Sequence, residues 1–208
     1  NGDPGTLPDA GSGPAIFYIH ETLHLEQEDR PMTSNITIIT EMKTRDAIAS
    51  SAFHCLVHDL AYNNRIVKLE RRECWRIELD LPDLAARMEL GRRLAEETKL
   101  FVNPNKHLYT VRTSPPESII RTGASESSIV HVIVTEREDS AGKGALNQLR
   151  SLYRIDRHID SISFGFLYTL IFAPGVADPM GLAAEIAQLT DRAHGLLCNP
   201  HSQMFEVF

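Results

Sequence analysis

Two stretches of this chain finish in the same way. Leu100-Phe101-Val102-Asn103-Pro104-Asn105-Lys106-His107-Leu108-Tyr109-Thr110-Val111 and Leu196-Leu197-Cys198-Asn199-Pro200-His201-Ser202-Gln203-Met204-Phe205-Glu206-Val207 each run from apolar residues through Asn-Pro into an alternating, strand-like end. The Asn-Pro pairs are 199 − 103 = 96 residues apart. Carried backward without gaps, that offset lays the apolar run near Ile36 on the one near Val132, and the helical pattern around Leu90 on the one around Ile186. A period this long is a domain duplication, because solenoid repeats are shorter. A chain of 208 residues has room for two small domains, each able to bury a core of its own.

The periodicities give both halves the same order. In the first, Asn35–Met42 alternates as a half-buried strand, and Asp46–Tyr62 carries an apolar helical face at Ile48, Ala52, Cys55/Leu56 and Leu60. Ile66–Arg71 and Cys74–Leu81 read as two strands. Pro82-Asp83 opens a helix with Leu84, Met88, Gly91 and Ala95 on one stripe. Asn103-Pro104 stops it, since a residue before proline avoids the α region, and Leu108–Thr113 closes the domain. In the second half the counterparts are Ile129–Glu136, a helix over Ala141–Tyr153, strands at Ile159–Ser163 and Phe166–Phe172, a helix over Gly181–Leu197, and Phe205–Phe208. This predicts an α+β chain of two tandem ferredoxin-like βαββαβ domains, 35–113 and 128–208, with both helices of each on one sheet face. Two such sheets invite pairing into a pseudo-dimer, or further association as a homo-oligomer. Residues 1–34 form a polar head, flexible over 1–14, with one short docked segment, and residues 114–127 form a proline-bearing linker. A first residue that is not methionine reads as a trimmed chain or a piece of a longer one.

The formal net charge of −7 argues against electrostatic capture of nucleic acid or of an anionic membrane, both of which need clustered Lys and Arg. No run approaches the roughly 18 apolar residues of a membrane span. Three cysteines, Cys55, Cys74 and Cys198, are odd in number and lack metal-ligand spacing. They suit reduced, buried thiols in a cytoplasmic compartment.

Few residues carry a chemical signal. His20-Glu21-Thr22-Leu23-His24 matches the H-E-x-x-H pattern, in which two histidines four apart on a helix hold zinc and the glutamate acts as base. It lies outside both repeated domains, with no upstream sheet to form a cleft, so a zinc hydrolase through His20 and His24 ranks third among the functions considered. His54 and His58, beside Asp59, are spaced alike on the first helix; a solvated helix flank explains them more simply. Gly142-Lys143-Gly144, between strand and helix, offers free N–H groups to an anion, although the phosphate-loop spacing is absent. Its plainer role is a permissive helix start. No cofactor and no catalytic residue is indicated, so an accessory role is favoured over an enzyme.

Each half resembles PurS, the small subunit of formylglycinamide ribonucleotide amidotransferase. The resemblance rests on Val67-Lys68-Leu69-Glu70 with Trp75-Arg76-Ile77-Glu78-Leu79, and on the Asn103-Pro104…Tyr109-Thr110-Val111 and Asn199-Pro200…Phe205-Glu206-Val207 endings. It implies a non-catalytic subunit that bridges synthetase and glutaminase subunits in purine biosynthesis, working through sheet faces and edges. The single-chain form of that enzyme opens with a fused PurS-like pair, which this tandem is similar to. Under this reading Trp75 and Tyr109, if exposed, are interface anchors; otherwise they are core residues. A second resemblance, Leu170-Ile171-Phe172-Ala173 followed by Asp178-Pro179-Met180-Gly181-Leu182, is to the ACT regulatory domain. It implies a small-molecule sensor with Gly181 and the Gly142–Gly144 loop beside the ligand.

Overall fold

A computed structural model describes residues 34–60, 62–113, 127–155, 157–190 and 194–208. The head, with His20 and His24, and nearly all of the linker lie outside the described residues. The elements are β1 (Ser34–Met42), α1 (Ala47–His54), β2 (Ile66–Leu79), α2 (Leu84–Glu97), β3 (His107–Arg112), β4 (Ser128–Glu136), α3 (Ser140–Gln148), β5 (Ile159–Phe172), α4 (Pro179–Ala187) and β6 (Gln203–Val207). Among the described residues the fold is mixed α+β, with four helices and one open antiparallel sheet of six strands in the order β3-β1-β2-β5-β4-β6.

An aspartate starts each of these four helices. Asp46, Asp83, Asp139 and Asp178 each accept a main-chain N–H of the first turn, which satisfies donors that have no partner within the helix. α1 and α3 each run on into one π-helical turn, Cys55–Asp59 and Leu149–Tyr153. The Asn-Pro turns also match: the Asn103 and Asn199 carbonyls each accept two main-chain N–H groups, including those of His107 and Gln203 that open β3 and β6.

Three expectations are corrected. The pairs of strands expected at 66–71 and 74–81, and at 159–163 and 166–172, are single strands, β2 and β5 of 14 residues each. Arg71-Arg72-Glu73 contains no turn-former, and the alternation Leu69, Arg71, Trp75, Ile77, Leu79 passes through it unbroken. Each half is thus β-α-β-α-β. The last helix stops at Ala187, because the chain beyond it turns extended at Gln188 and the returning segment takes over the free carbonyls: Leu196 N–H donates to Ile186 O and Cys198 N–H to Ala187 O. The offset between halves is also not constant, since Asp46 and Asp139 are 139 − 46 = 93 residues apart.

The two cores are shared. One holds Leu56, Tyr62, Ile66 and Leu69 of the first half with Val130, Val132, Leu170, Phe172, Leu182 and Ile186 of the second. The other holds Ile36, Ile38, Trp75, Ile77 and Leu94 with Ala145, Leu149, Ile159 and Ile162. The first helix of each half therefore packs on the other half's core. The long strands make this possible: β2 and β5 pair along their whole length, while β1 pairs only with residues 73–79 of β2.

The face away from the helices carries a third cluster, Ile39, Cys74, Ile133 and Leu167 with Phe208. Here the sheet curls on itself. Arg76 of β2 meets Glu206 of β6 at 3.2 Å, although β5 and β4 lie between them. Three strand spacings come to about 14 Å in a flat sheet. Glu206 is moreover in register with Arg72, through Ile133 and Leu167, not with Arg76. Those four further residues add about 13 Å along the strand, more than two extended side chains can span. The twist of the sheet closes the gap.

Candidate functional site

The aromatic residues proposed as anchors point inward or sideways. Trp75 is 9% exposed and packs edge-on to Phe101 and against Phe164, with ring centroids 5.2 and 4.4 Å away. Its Nε1 is buried with no hydrogen-bond partner among the described residues. Tyr109, half-buried on the edge strand β3, donates its hydroxyl to Glu96 Oε1 at 2.6 Å, and that bond raises the phenol's pKa. The glycine loop is equally committed to structure. A Cβ on Gly142 would stand 2.2 Å from Ile162 O, so glycine is what lets α3 lie against β5. Gly144 faces open space, and Gly181 donates its N–H to the capping Asp178.

Gly181 does border a groove. About 510 Å³ lies between the Asn64-Arg65 turn and the β5–α4 loop, lined also by Pro174, Asp178 and Glu185. At its wall the Tyr62 hydroxyl donates to Glu185 Oε1 at 2.6 Å, and the Arg65 guanidinium stacks 4.7 Å above the Tyr62 ring. His54 and His58 are both exposed, with ring centroids 4.3 Å apart. No group of three or more metal-ligating side chains occurs among the described residues.

The site that sequence reasoning missed is the inner edge of β2. β1 pairs with β2 only from Glu73 onward and leaves the sheet after Met42. Among the described residues, 68–72 are therefore paired on one side alone, with β5, and Val67 lies at a shift in the register. A groove of about 440 Å³ follows this free edge, walled by Met42, Ala49, Phe53, Val67 and Leu69, with charged residues between them. Asp46 sits at its head. One carboxyl oxygen caps α1, and the other accepts from Arg71 Nε at 2.9 Å. Burial pushes this carboxyl up, but the hydrogen bonds from Arg71, Ala49 and Ile48, with the Arg71 charge, outweigh it and hold the group below its ordinary range. Arg71 also lies 4.7 Å over the Phe166 ring.

The equivalent edge in the other half is closed. There Asp139, the counterpart of Asp46, caps α3 with one oxygen and accepts the main-chain N–H of Phe164 with the other, each at 2.7 Å. Gly142 brings the helix onto Ile162 O. Its counterpart 93 residues earlier is Ala49, which carries the Cβ that Gly142 has no room for. Comparison of the two helix starts in the sequence carries this signal, Asp-Ala-Ile-Ala against Asp-Ser-Ala-Gly.

Across the sheet a polar chain joins Glu41, Arg72, Glu70 and Lys68 on one side with Thr169 and His131 on the other. Burial lowers the His131 pKa, and the charges of Arg72 and Arg112 lower it further. No helix among the described residues is long and apolar enough to cross a membrane. In comparisons with known proteins, no family model, no curated protein and no solved structure matches this chain.

Proposed function

We propose that this chain is a non-catalytic, cytoplasmic assembly subunit, a tandem of PurS-like units of ferredoxin-like descent that bridges the synthetase and glutaminase of a purine-pathway amidotransferase. The observation that supports it is the repeated ending: in both halves the same Asn-Pro turn delivers the chain to an outer strand, β3 or β6. Those strands carry the Tyr-Thr-Val and Phe-Glu-Val sequences on which the resemblance rests, and each is hydrogen-bonded on one side only among the described residues. Unpaired strands are natural sites for adding another chain or a second copy. Each unit departs from the four-stranded pattern in having its middle hairpin drawn out into one long strand.

Affinity purification of the chain from its own host, with mass spectrometry of what stays bound, tests this reading. Recovery of a synthetase together with a glutaminase is the expected result; return of the chain alone overturns it. A second reading, an ACT-like regulator, draws on the groove beside Gly181. It predicts that an amino acid or nucleotide raises the unfolding temperature, since a ligand of the folded state alone stabilises it. A panel that produces no shift removes it.

A further inference from the structure

We infer that the inner edge of β2 is a docking site for an extended peptide strand of a partner protein, apolar in alternation and carrying one acidic side chain. The inference is independent of which enzyme, if any, the chain assembles.

The backbone shows which groups are on offer. Phe164 donates its N–H to Asp139, away from β2. It pairs with Trp75 across the β2–β5 ladder, so this is a pair that points outward on both strands. Alternation along β2 then turns Arg71 and Leu69 outward as well, each with one N–H and one C=O. No partner for these main-chain groups occurs among the described residues: Asp46 takes the Arg71 side chain, and Ala49 stands where its counterpart Gly142 lets the helix close. Two outward residues in succession are the hydrogen-bonding unit that β-strand addition uses, and the spacing admits only an extended backbone.

The walls set the chemistry of the occupant. Met42, Phe53 and Val67 present apolar surface, and Val67 is 54% exposed. The ions around the groove are mutually paired, Asp46 with Arg71, Glu41 and Glu70 with Arg72, and Glu70 with Lys68. Arg45 is the exception. It is exposed and bonds only to the Ser50 hydroxyl among the described residues, with no carboxylate beside it. The lining therefore carries one uncompensated positive charge, which complements an acidic residue on the incoming strand.

The test uses hydrogen exchange and NMR titration on the full chain. Before any addition, the Leu69 and Arg71 amides are expected to exchange much faster than that of Phe164. Equal protection would show the edge already occupied and overturn the proposal. The probe is the capped pentapeptide acetyl-Thr-Val-Glu-Val-Thr-amide, expected to slow exchange at Leu69 and Arg71 by about tenfold at millimolar concentration. The same peptide N-methylated at both valines is expected to have no effect, since it cannot complete the ladder. Equal action of the two peptides, or no protection by either, overturns strand addition. Arg45→Glu, an exposed change, is expected to weaken the Glu peptide about tenfold and to favour its Lys analogue. Indifference to that reversal overturns the acidic assignment. Protection that grows with protein concentration in the absence of peptide would make the occupant a second copy, contrary to the proposal.

Discussion

Arg76 Nη2 and Glu206 Oε2 stand 3.2 Å apart with two strands between their own, so the pair records how far the sheet has curled without being what curls it. Glu206 is 65% exposed on its side chain, and solvent-screened pairs contribute about 0–1 kcal/mol. Glu206→Gln is expected to cost less than about 1 kcal/mol. Leu167, 1% exposed in the cluster beneath, is expected to cost about 2–5 kcal/mol when cut to alanine. Urea titrations of the two variants check this. A larger loss for Glu206→Gln would mean that the ion pair shapes the sheet.

The two capping aspartates are expected to tolerate amidation differently. Both oxygens of Asp139 accept main-chain N–H groups, those of Gly142 and Phe164. Asn keeps one acceptor and turns a donor toward the other N–H, at a cost of about 1–3 kcal/mol. Asp46→Asn keeps the cap and loses the Arg71 contact, a flexible partner that can swing away, for about 1 kcal/mol. Paired denaturation curves giving the reverse order would contradict the closed and open edges described above.

Trp75 is the one tryptophan of the chain, so its fluorescence reports its site directly. Blue-shifted emission, resistant to acrylamide until the protein unfolds, is expected. Trp75→Ala is expected to cost about 3–5 kcal/mol. Trp75→Phe is expected to cost much less, because the lost N–H has no partner to leave behind. Emission near that of free indole in the folded state would place the ring at the surface.

Acid is expected to destabilise the fold partly through His131. Its ring touches Phe208, shares a hydrogen bond with Thr169, and lies near Arg72, Arg112 and Glu70. Because folding lowers its pKa, the unfolded chain takes up the proton first as pH falls. The stability contributed by the neutral ring is present above the unfolded value of about 6.5 and is lost below it. The loss of stability between pH 7.5 and 5.5 should therefore be smaller in His131→Gln than in the parent. Equal losses would refute the assignment.

Most elements were legible because their signals are local. Alternation marked β1, β3, β4 and β6, and the aspartates and Asn-Pro turns marked where helices begin and outer strands start. The division of β2 failed because charged Arg71-Arg72-Glu73 resembles a hairpin tip, whereas nothing there forces the chain to turn. The end of α4 was missed because main-chain pairing with Cys198, eleven residues further on, decides it. The shared cores were out of reach for a similar reason: Leu56 reads as a core residue, but which core it joins depends on the β2–β5 ladder. The open groove goes with Ala49 where the closed edge has Gly142. It becomes visible only when the two halves are aligned at offset 93 rather than 96.

The crossed helices also set a clock on synthesis. Tyr62 finds its hydrogen-bond partner Glu185 after a separation of 123 residues, and Leu56 joins a core whose other members lie mostly in the second half. At ribosomal speeds of about 5–20 residues per second, α1 waits roughly 6–25 s for the surface it packs on. During that time its apolar face is exposed, and a neighbouring nascent chain of the same kind offers the same surface. The peptide joining the halves makes the correct partner the nearest one, so the duplication acts as protection against mispairing between chains on one polysome.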